Sequence, residues 1–302
     1  MLPFEKMWWQ KYGDPNRESG YSMPPVFIIG APRSGTTLFS QIFLNAFKVG
    51  YFSNTLARFA KTPVMAAKRY RHTFHNMSGT DFKSDFGRTQ GRYGAHEAAE
   101  FWYRWFPRGH HIYIDRGGIP ADTLSDFAAH VRALGHVIGL PMMFKNTFNS
   151  MRLIPISQAL PEAVFLVCRR DPVDNAQSIL NARIKEGDKH EWWSVPPREY
   201  DEIRKHPYYQ QVVDQVYYIE QQIEQDEQTI ANDRFISVDY KAVCTHTRDT
   251  LESIRKKCTT LGLELQYRDL DLPDSFKYST GCKTDPDDYA KIKERVAELW
   301  GR

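Results

Sequence analysis

The stretch Val26-Phe27-Ile28-Ile29-Gly30-Ala31-Pro32-Arg33-Ser34-Gly35-Thr36-Thr37-Leu38 decides the fold of this chain. It reads as a short buried strand, a tight glycine-containing loop and a helix that begins on small hydroxyl residues. That geometry makes an anion cradle: backbone N–H groups of the loop and helix start converge, and the helix dipole adds partial positive charge there. Gly30 and Gly35 have the spacing of a Walker A loop, but Thr36 stands where that pattern wants Lys. The Walker Lys reaches the β- and γ-phosphates of a nucleoside triphosphate. Here the nearest cation is Arg33, inside the loop, so the loop is built for a different anion. Arg33, Ser34, Gly35, Thr36 and Thr37 are the residues expected to bind it.

Outward from this stretch, three more short apolar runs read as buried strands: Leu140–Phe144, Val164–Val167 and Phe235–Val238. Helical patterns follow most of them, which indicates an α/β chain with a P-loop-like parallel sheet flanked by helices. The first helix is predicted over Ser34–Phe47. A second spans Asp171–Lys185, with Asp171 as N-cap and Pro172 at its first position. A long helix is predicted from His206 to Asn232 on the apolar stripe Val212, Val216, Ile219 and Ile223. Another runs from Arg248 to Leu261 and stops at Gly262. Residues 48–139 form a long insert, mostly helical and polar, and the segment Lys189–His206 is rich in Trp and Pro. With no repeat, low-complexity tract or linker, residues 1–302 read as a single domain with large helical inserts over the carboxyl ends of the strands, where such sheets bind ligands.

Composition narrows the function classes. The 302 residues are 41% hydrophobic and 25% charged, an ordinary globular balance. A net charge of +3 gives no ground for nucleic acid as a partner. Cys168, Cys244, Cys258 and Cys282 form no C-x-x-C pair, which argues against a zinc site, and no metal ligand set is expected. No apolar run approaches the roughly 18–20 residues that span a bilayer. Met1-Leu2-Pro3-Phe4-Glu5-Lys6 lacks the basic start and apolar stretch of a signal peptide, so the cytoplasm is the expected compartment.

A second strand-to-helix junction carries charge. Val164-Phe165-Leu166-Val167-Cys168-Arg169-Arg170-Asp171-Pro172 places Arg170 at a helix mouth, and Ser178 follows eight residues later, about two turns in. A cation and a hydroxyl so placed can grip another phosphate.

With both junctions in hand, the chain resembles the sulfotransferases that use 3′-phosphoadenosine-5′-phosphosulfate (PAPS). Pro32–Thr37 matches the family's Pro-[Lys/Arg]-Ser-Gly-Thr-Thr loop, which implies a 5′-phosphosulfate site. Arg170 and Ser178 match the Arg-Asp-Pro junction and its Ser, which implies a 3′-phosphate site. Lys145-Asn146, after the second strand, looks like the Lys that touches the transferring group. Val238-Asp239-Tyr240 and the helix ending at Gly262 resemble the family's last strand–helix pair. The resemblance covers about 26 to 262. It implies PAPS as co-substrate, adenosine 3′,5′-bisphosphate (PAP) as product, and no metal. Two departures matter. The cytosolic small-phenol type has a His two residues after the Lys, where this chain has Thr147. Arg33 in the loop instead resembles the branch that includes Golgi-type and many bacterial members, parts of which use a Glu or His base on the insert after the first helix. The family's C-terminal Arg-Lys-Gly is represented only loosely by Gly281-Cys282-Lys283, which leaves Lys283 as a weaker candidate for the 3′-phosphate.

The expected base therefore lies in Tyr93-Gly94-Ala95-His96-Glu97-Ala98-Ala99-Glu100-Phe101-Trp102. Read as helical from His96, this segment puts Glu97 and Phe101 on one face and His96 and Glu100 on the next. The ranking is Glu97, then His96, then Glu100. His110, His111, His72 and His75 read as surface residues. Arg33 and Lys145 would neutralise charge on the leaving oxygen. Trp102, Tyr103, Trp105, Phe106, Trp192 and Trp193 are candidates for an aromatic wall around the acceptor, which is expected to be a small molecule or a glycan or lipid hydroxyl. Lys68-Arg69-Tyr70-Arg71-His72 reads as a solvated helix face. Two other functions fit less well: a P-loop small-molecule kinase, against which the missing Lys counts, and a PAP-binding protein without catalysis.

Overall fold

The structure, a computed structural model, describes Met7 and residues 23–301 except 78, 80, 86, 87, 231, 232 and 270. Met1–Lys6 and the predicted helix end at Asn232 lie outside the described residues.

The centre of the fold is a five-stranded sheet. Its strands are β1 (Val26–Ile29), β2 (Gly50–Tyr51), β5 (Met142–Lys145), β6 (Val164–Arg169) and β7 (Phe235–Asp239). The spatial order is β2-β5-β1-β6-β7 and every pairing is parallel. Between β2 and β5 in sequence, β3 (Ser84–Asp85) and β4 (Arg88–Thr89) form a separate antiparallel ribbon. β1 is central, and all four of its residues are fully buried, because both faces of a parallel sheet are covered. Phe27 sits in register with Phe144 and Phe165 and stacks on both, with ring centroids at 5.2 and 5.5 Å. The alternating burial of β7 is that of an edge strand. The predicted α/β class and parallel sheet are as observed. β2 was missed: two residues show no periodicity, and their pairing with Met142 and Met143 is a long-range contact.

The main helices are α1 (Thr36–Ala46), α2 (Pro63–His75), α3 (Ala121–Ile138), α4 (Pro172–Glu186), α5 (Tyr208–Ile230), α6 (Thr247–Thr260) and α7 (Pro286–Trp300). α1 begins two residues later than predicted, because Gly35 caps it in a left-handed conformation (φ 101°). Asp171 caps α4 as expected, its side chain accepting from the Asp174 amide at 3.0 Å, with Pro172 in the first turn. α5 starts at Tyr208 and not at His206, since the residue before Pro207 is disfavoured from helix. Val212, Val216, Ile219 and Ile223 are all fully buried along it.

The insert after α1 is less polar than its sequence suggested. α3 buries Phe127, Val131, Leu134 and Ile138 against α2 and the β5 side of the sheet. Trp102, Trp105 and Phe106 pack on Phe127. These three rings are 1%, 7% and 3% exposed, so they belong to the core and not to an acceptor wall, which corrects the expectation for them. Among the described residues no helix is long and apolar enough to cross a membrane.

Candidate active site

The loop between β1 and α1 is held by contacts only glycine permits. Gly30 lies at φ 145°, and a Cβ there would come within 2.4 Å of the Cys168 carbonyl oxygen. Its amide donates to Ser150 Oγ at 3.0 Å, anchoring the loop beneath the sheet's end. Arg33 takes a left-handed conformation (φ 67°), one that favours glycine, and this turns its side chain across the loop. Ser34 turns inward: its amide donates to the Ala31 carbonyl at 3.1 Å, its carbonyl accepts from Cys168 Sγ, and its hydroxyl is fully buried. The Ser34 side chain is thus not part of the ligand-facing surface, contrary to expectation. Pro32, Arg33, Gly35, Thr36 and Thr37 do face a cavity of about 670 Å³.

The second junction meets the first directly. The Arg170 guanidinium donates to the Arg33 carbonyl at 3.2 Å and to the Ser279 carbonyl at 2.8 Å, and lies 5.4 Å from the Tyr240 ring centroid. Arg170 lines the cavity, and its buried Nε has no hydrogen-bond partner among the described residues. Ser178 was expected to share a phosphate with Arg170. Its Oγ instead accepts from Arg33 Nε at 3.0 Å, and it is not part of the cavity wall. α4 carries Ser178 up to the loop's arginine, 145 residues away in sequence. Lys283 also departs from expectation. Its backbone is tied to α4, the amide donating to Gln177 Oε1 at 2.8 Å and the carbonyl accepting from Asn181 Nδ2 at 3.0 Å. Its side chain is exposed and away from the cavity.

The opposite wall holds the proton-transfer candidates. Lys145 ends β5, is 8% exposed, and its Nζ is ion-paired with the Glu97 carboxylate. The Glu97 carbonyl accepts from Trp102 Nε1 at 2.8 Å and from Asn146 Nδ2 at 3.0 Å. The His96 amide donates to the Phe52 carbonyl at 2.7 Å. These bonds hold His96 and Glu97 outside any helix. Ala98 then turns left-handed (φ 51°) and a single helical turn covers Ala99–Trp102. The predicted helix from His96 is therefore absent, and the face argument built on it fails. His96 and Glu97 both line the cavity nonetheless. Glu100 does not: its side chain is 65% exposed and paired with Arg108 at 2.8 Å, which removes it from the base candidates. Partial desolvation, with Lys145 adding to it against Glu97, lowers the pKa of the His96 imidazole.

The remaining wall comes from residues that no motif marks. Asn54 and Thr89 line the cavity, clipped together where Asn54 Nδ2 donates to the Thr89 carbonyl at 3.0 Å. Tyr240 closes it under Gly35. Trp193 lines it beside Ser194, which is left-handed (φ 68°), while Trp192 turns away against Tyr200. Thr147 also lines the cavity. Tyr103 packs under Arg108, His110 stacks on Tyr200, His111 faces Asp201, and His75 bonds the Ile138 carbonyl; none reaches the cavity. Lys68, Arg69, Arg71 and His72 lie exposed on α2, also away from it. Among the described residues no group of three or more His, Cys, Asp or Glu is arranged to hold a metal.

One cavity thus gathers two arginines, a helix N-terminus and a Lys–Glu pair at the carboxyl ends of parallel strands. Sulfotransferase STF9 from Mycobacterium avium shares 12% identity over 97% of this chain and 72% of its own, with a TM-score of 0.50, and so shares the fold. A sulfotransferase from Alicyclobacillus acidocaldarius aligns at 17% identity over 93% of this chain and 97% of its own, with a TM-score of 0.43. No curated protein matches the chain. The family description "Sulfotransferase family" matches residues 24–267, most of the chain, and the chain belongs to that family.

Proposed function

We propose that the protein transfers a sulfuryl group from PAPS to a hydroxyl or amine acceptor and releases PAP. The observation that carries this reading is the convergence of Arg33, Arg170 and the α1 N-terminus with the Lys145–Glu97 pair on one cavity. The first set suits phosphate and phosphosulfate oxygens: two guanidiniums, one with an unpartnered buried Nε, beside helix-start amides. The second set suits the reacting end. In the transfer, the acceptor oxygen forms a bond to sulfur while the bond from sulfur to the bridging oxygen breaks. Its electron pair leaves on the 5′-phosphate, and the acceptor's proton passes to Glu97.

Such transfers pass through a loose transition state, so positioning and electrostatics dominate. Lys145 and Arg33 would stabilise charge on the leaving oxygen, each such donor contributing about 3 kcal/mol. The sulfuryl group carries less charge than a terminal phosphoryl group, so these cations suffice without a metal in this mechanism. We assign the acceptor to small molecules or to glycan or lipid hydroxyls, and the reaction to the cytoplasm. A kinase reading lacks the Lys that Thr36 replaces.

Thermal denaturation with PAP, with ATP and Mg²⁺, and with neither tests the reading. PAP should raise the midpoint, since a ligand at 100 times its Kd adds about 2.7 kcal/mol to the native state. Stabilisation by ATP and Mg²⁺ alone would overturn it.

A further inference from the structure

The ring of His96 is fixed by its own turn. Its Nδ1 accepts a hydrogen bond from the Ala98 amide at 2.8 Å. A backbone N–H can only donate, so Nδ1 holds a lone pair and the proton of the neutral ring sits on Nε2. Nε2 has no partner among the described residues, and the imidazole lines the cavity beside Glu97, Lys145 and Thr147.

We propose that His96 is a hydrogen-bond donor to the acceptor's oxygen and never takes the acceptor's proton. The identity of that oxygen rests on the sulfuryl-transfer reading; the protonation pattern rests on the geometry alone. To act as a base the ring must use its one lone pair, and that lone pair faces Ala98. Protonation at Nδ1 would set two N–H groups against each other and break the turn that opens Ala99–Trp102. The turn is well anchored: the His96 amide is bound to Phe52, the Glu97 carbonyl to Trp102 and Asn146, and Ala98 is held left-handed. The charged groups facing the ring, Glu97 and Lys145, oppose each other, and partial desolvation at the cavity wall lowers its pKa.

The acceptor hydroxyl has matching valences: one proton and two lone pairs. Glu97 takes the proton, one lone pair attacks sulfur, and the other accepts the His96 Nε2–H. The oxygen is thereby oriented on three sides, and His96 neither gains nor loses a proton.

Two measurements test this on the full chain. The first is ¹⁵N NMR of the histidine side chains near neutral pH, with His96→Asn identifying the His96 signals. The expected result is the Nε2–H tautomer; an Nδ1–H tautomer, or exchange between the two, overturns the proposal. The second is PAP release from PAPS with water as the acceptor. His96→Gln retains an N–H in the Nε2 position, whereas His96→Asn keeps an acceptor near Nδ1 but carries its N–H groups short of the Nε2 position, and neither can take a proton. His96→Gln should keep turnover within about threefold while His96→Asn falls about tenfold, the scale of one hydrogen bond. A fall of about 100-fold or more in both alike, the scale of a lost general base, overturns the proposal. If PAP fails to stabilise the wild-type protein, the sulfuryl-transfer reading falls, and the tautomer measurement still decides the role of His96.

Discussion

Lys145 and Glu97, 48 residues apart in sequence, form an ion pair in the wall of the cavity. The lysine side chain is 7% exposed and the glutamate 34%, so the carboxylate is the more open half of the pair, and both line the cavity. Glu97→Gln should leave PAP affinity unchanged and cut PAP release by about 10²–10⁴-fold, the contribution of a general base. Lys145→Met should cut it by about 10²–10³-fold. Because the two groups act on one transfer, the double variant should be little worse than the poorer single one. Steady-state rates of the three variants, with PAP titration of each, check this; a fully active Glu97→Gln would remove Glu97 as the base.

The Arg170 guanidinium both faces the ligand and ties the loop to the C-terminal segment through the Arg33 and Ser279 carbonyls. Arg170→Ala should weaken PAP binding by about 1.5–3 kcal/mol, the range for a charge-assisted hydrogen bond. The loss should shrink at high salt if screened charge carries it. Calorimetric titration at two ionic strengths measures both, and an unchanged affinity would show that the phosphate sits elsewhere.

How far the sequence could be read depended on the range of the contacts involved. The β1 loop and the α4 cap were legible because each is encoded within a dozen residues: an apolar run, a turn and a capping residue. The pairing of Arg33 with Ser178 was not, because it depends on how α4 is laid against the loop, 145 residues away in sequence. Ser34 misled for a local reason, since the left-handed turn at Arg33 rotates the next side chain inward. His96–Glu97 was found by residue type, but the helix drawn through it failed at Ala98, whose left-handed turn no glycine signals. Asn54 and Thr89 left no trace at all: each is an ordinary polar residue brought to the cavity by hydrogen bonds across the insert. The aromatic cluster around Trp102 was read as a ligand wall because ring chemistry suits both roles, and only burial separates them.

Gly35 gives a structural test of the loop. Its φ of 101° is strained for any residue with a side chain, and a Cβ there would lie 2.0 Å from the Tyr240 ring. Gly35→Ala should therefore lower stability by at least about 2 kcal/mol, combining backbone strain with overpacking. It should also weaken PAP binding, because the α1 N-terminus must shift. Adding Tyr240→Ala removes the clash but not the strain, so the double variant should recover only part of the loss. Denaturant midpoints of the two variants separate the two costs; full recovery would show that strain at Gly35 contributes nothing.

Asp226 sets a pH dependence away from the cavity. It is 1% exposed, and its Oδ1 accepts from Gln222 Nε2 at 2.7 Å and from the Tyr113 hydroxyl at 3.1 Å, while Oδ2 has no partner among the described residues. Burial raises its pKa to about 6 from an ordinary 3.8. The unfolded chain therefore releases this proton first as pH rises, so stability falls between about pH 4 and pH 6 and is level above that. The shift of about two units corresponds to at most about 3 kcal/mol. Asp226→Asn removes the ionisation and keeps an oxygen for Gln222 and Tyr113. Its new amide N–H groups, however, lack partners, at a cost of about 1–2 kcal/mol. The variant should thus be about 1–2 kcal/mol more stable than wild type near pH 8 and less stable near pH 4. Urea unfolding at the two pH values reads out the crossing; a difference that does not change with pH would mean that the Asp226 pKa is the same in the native and unfolded states.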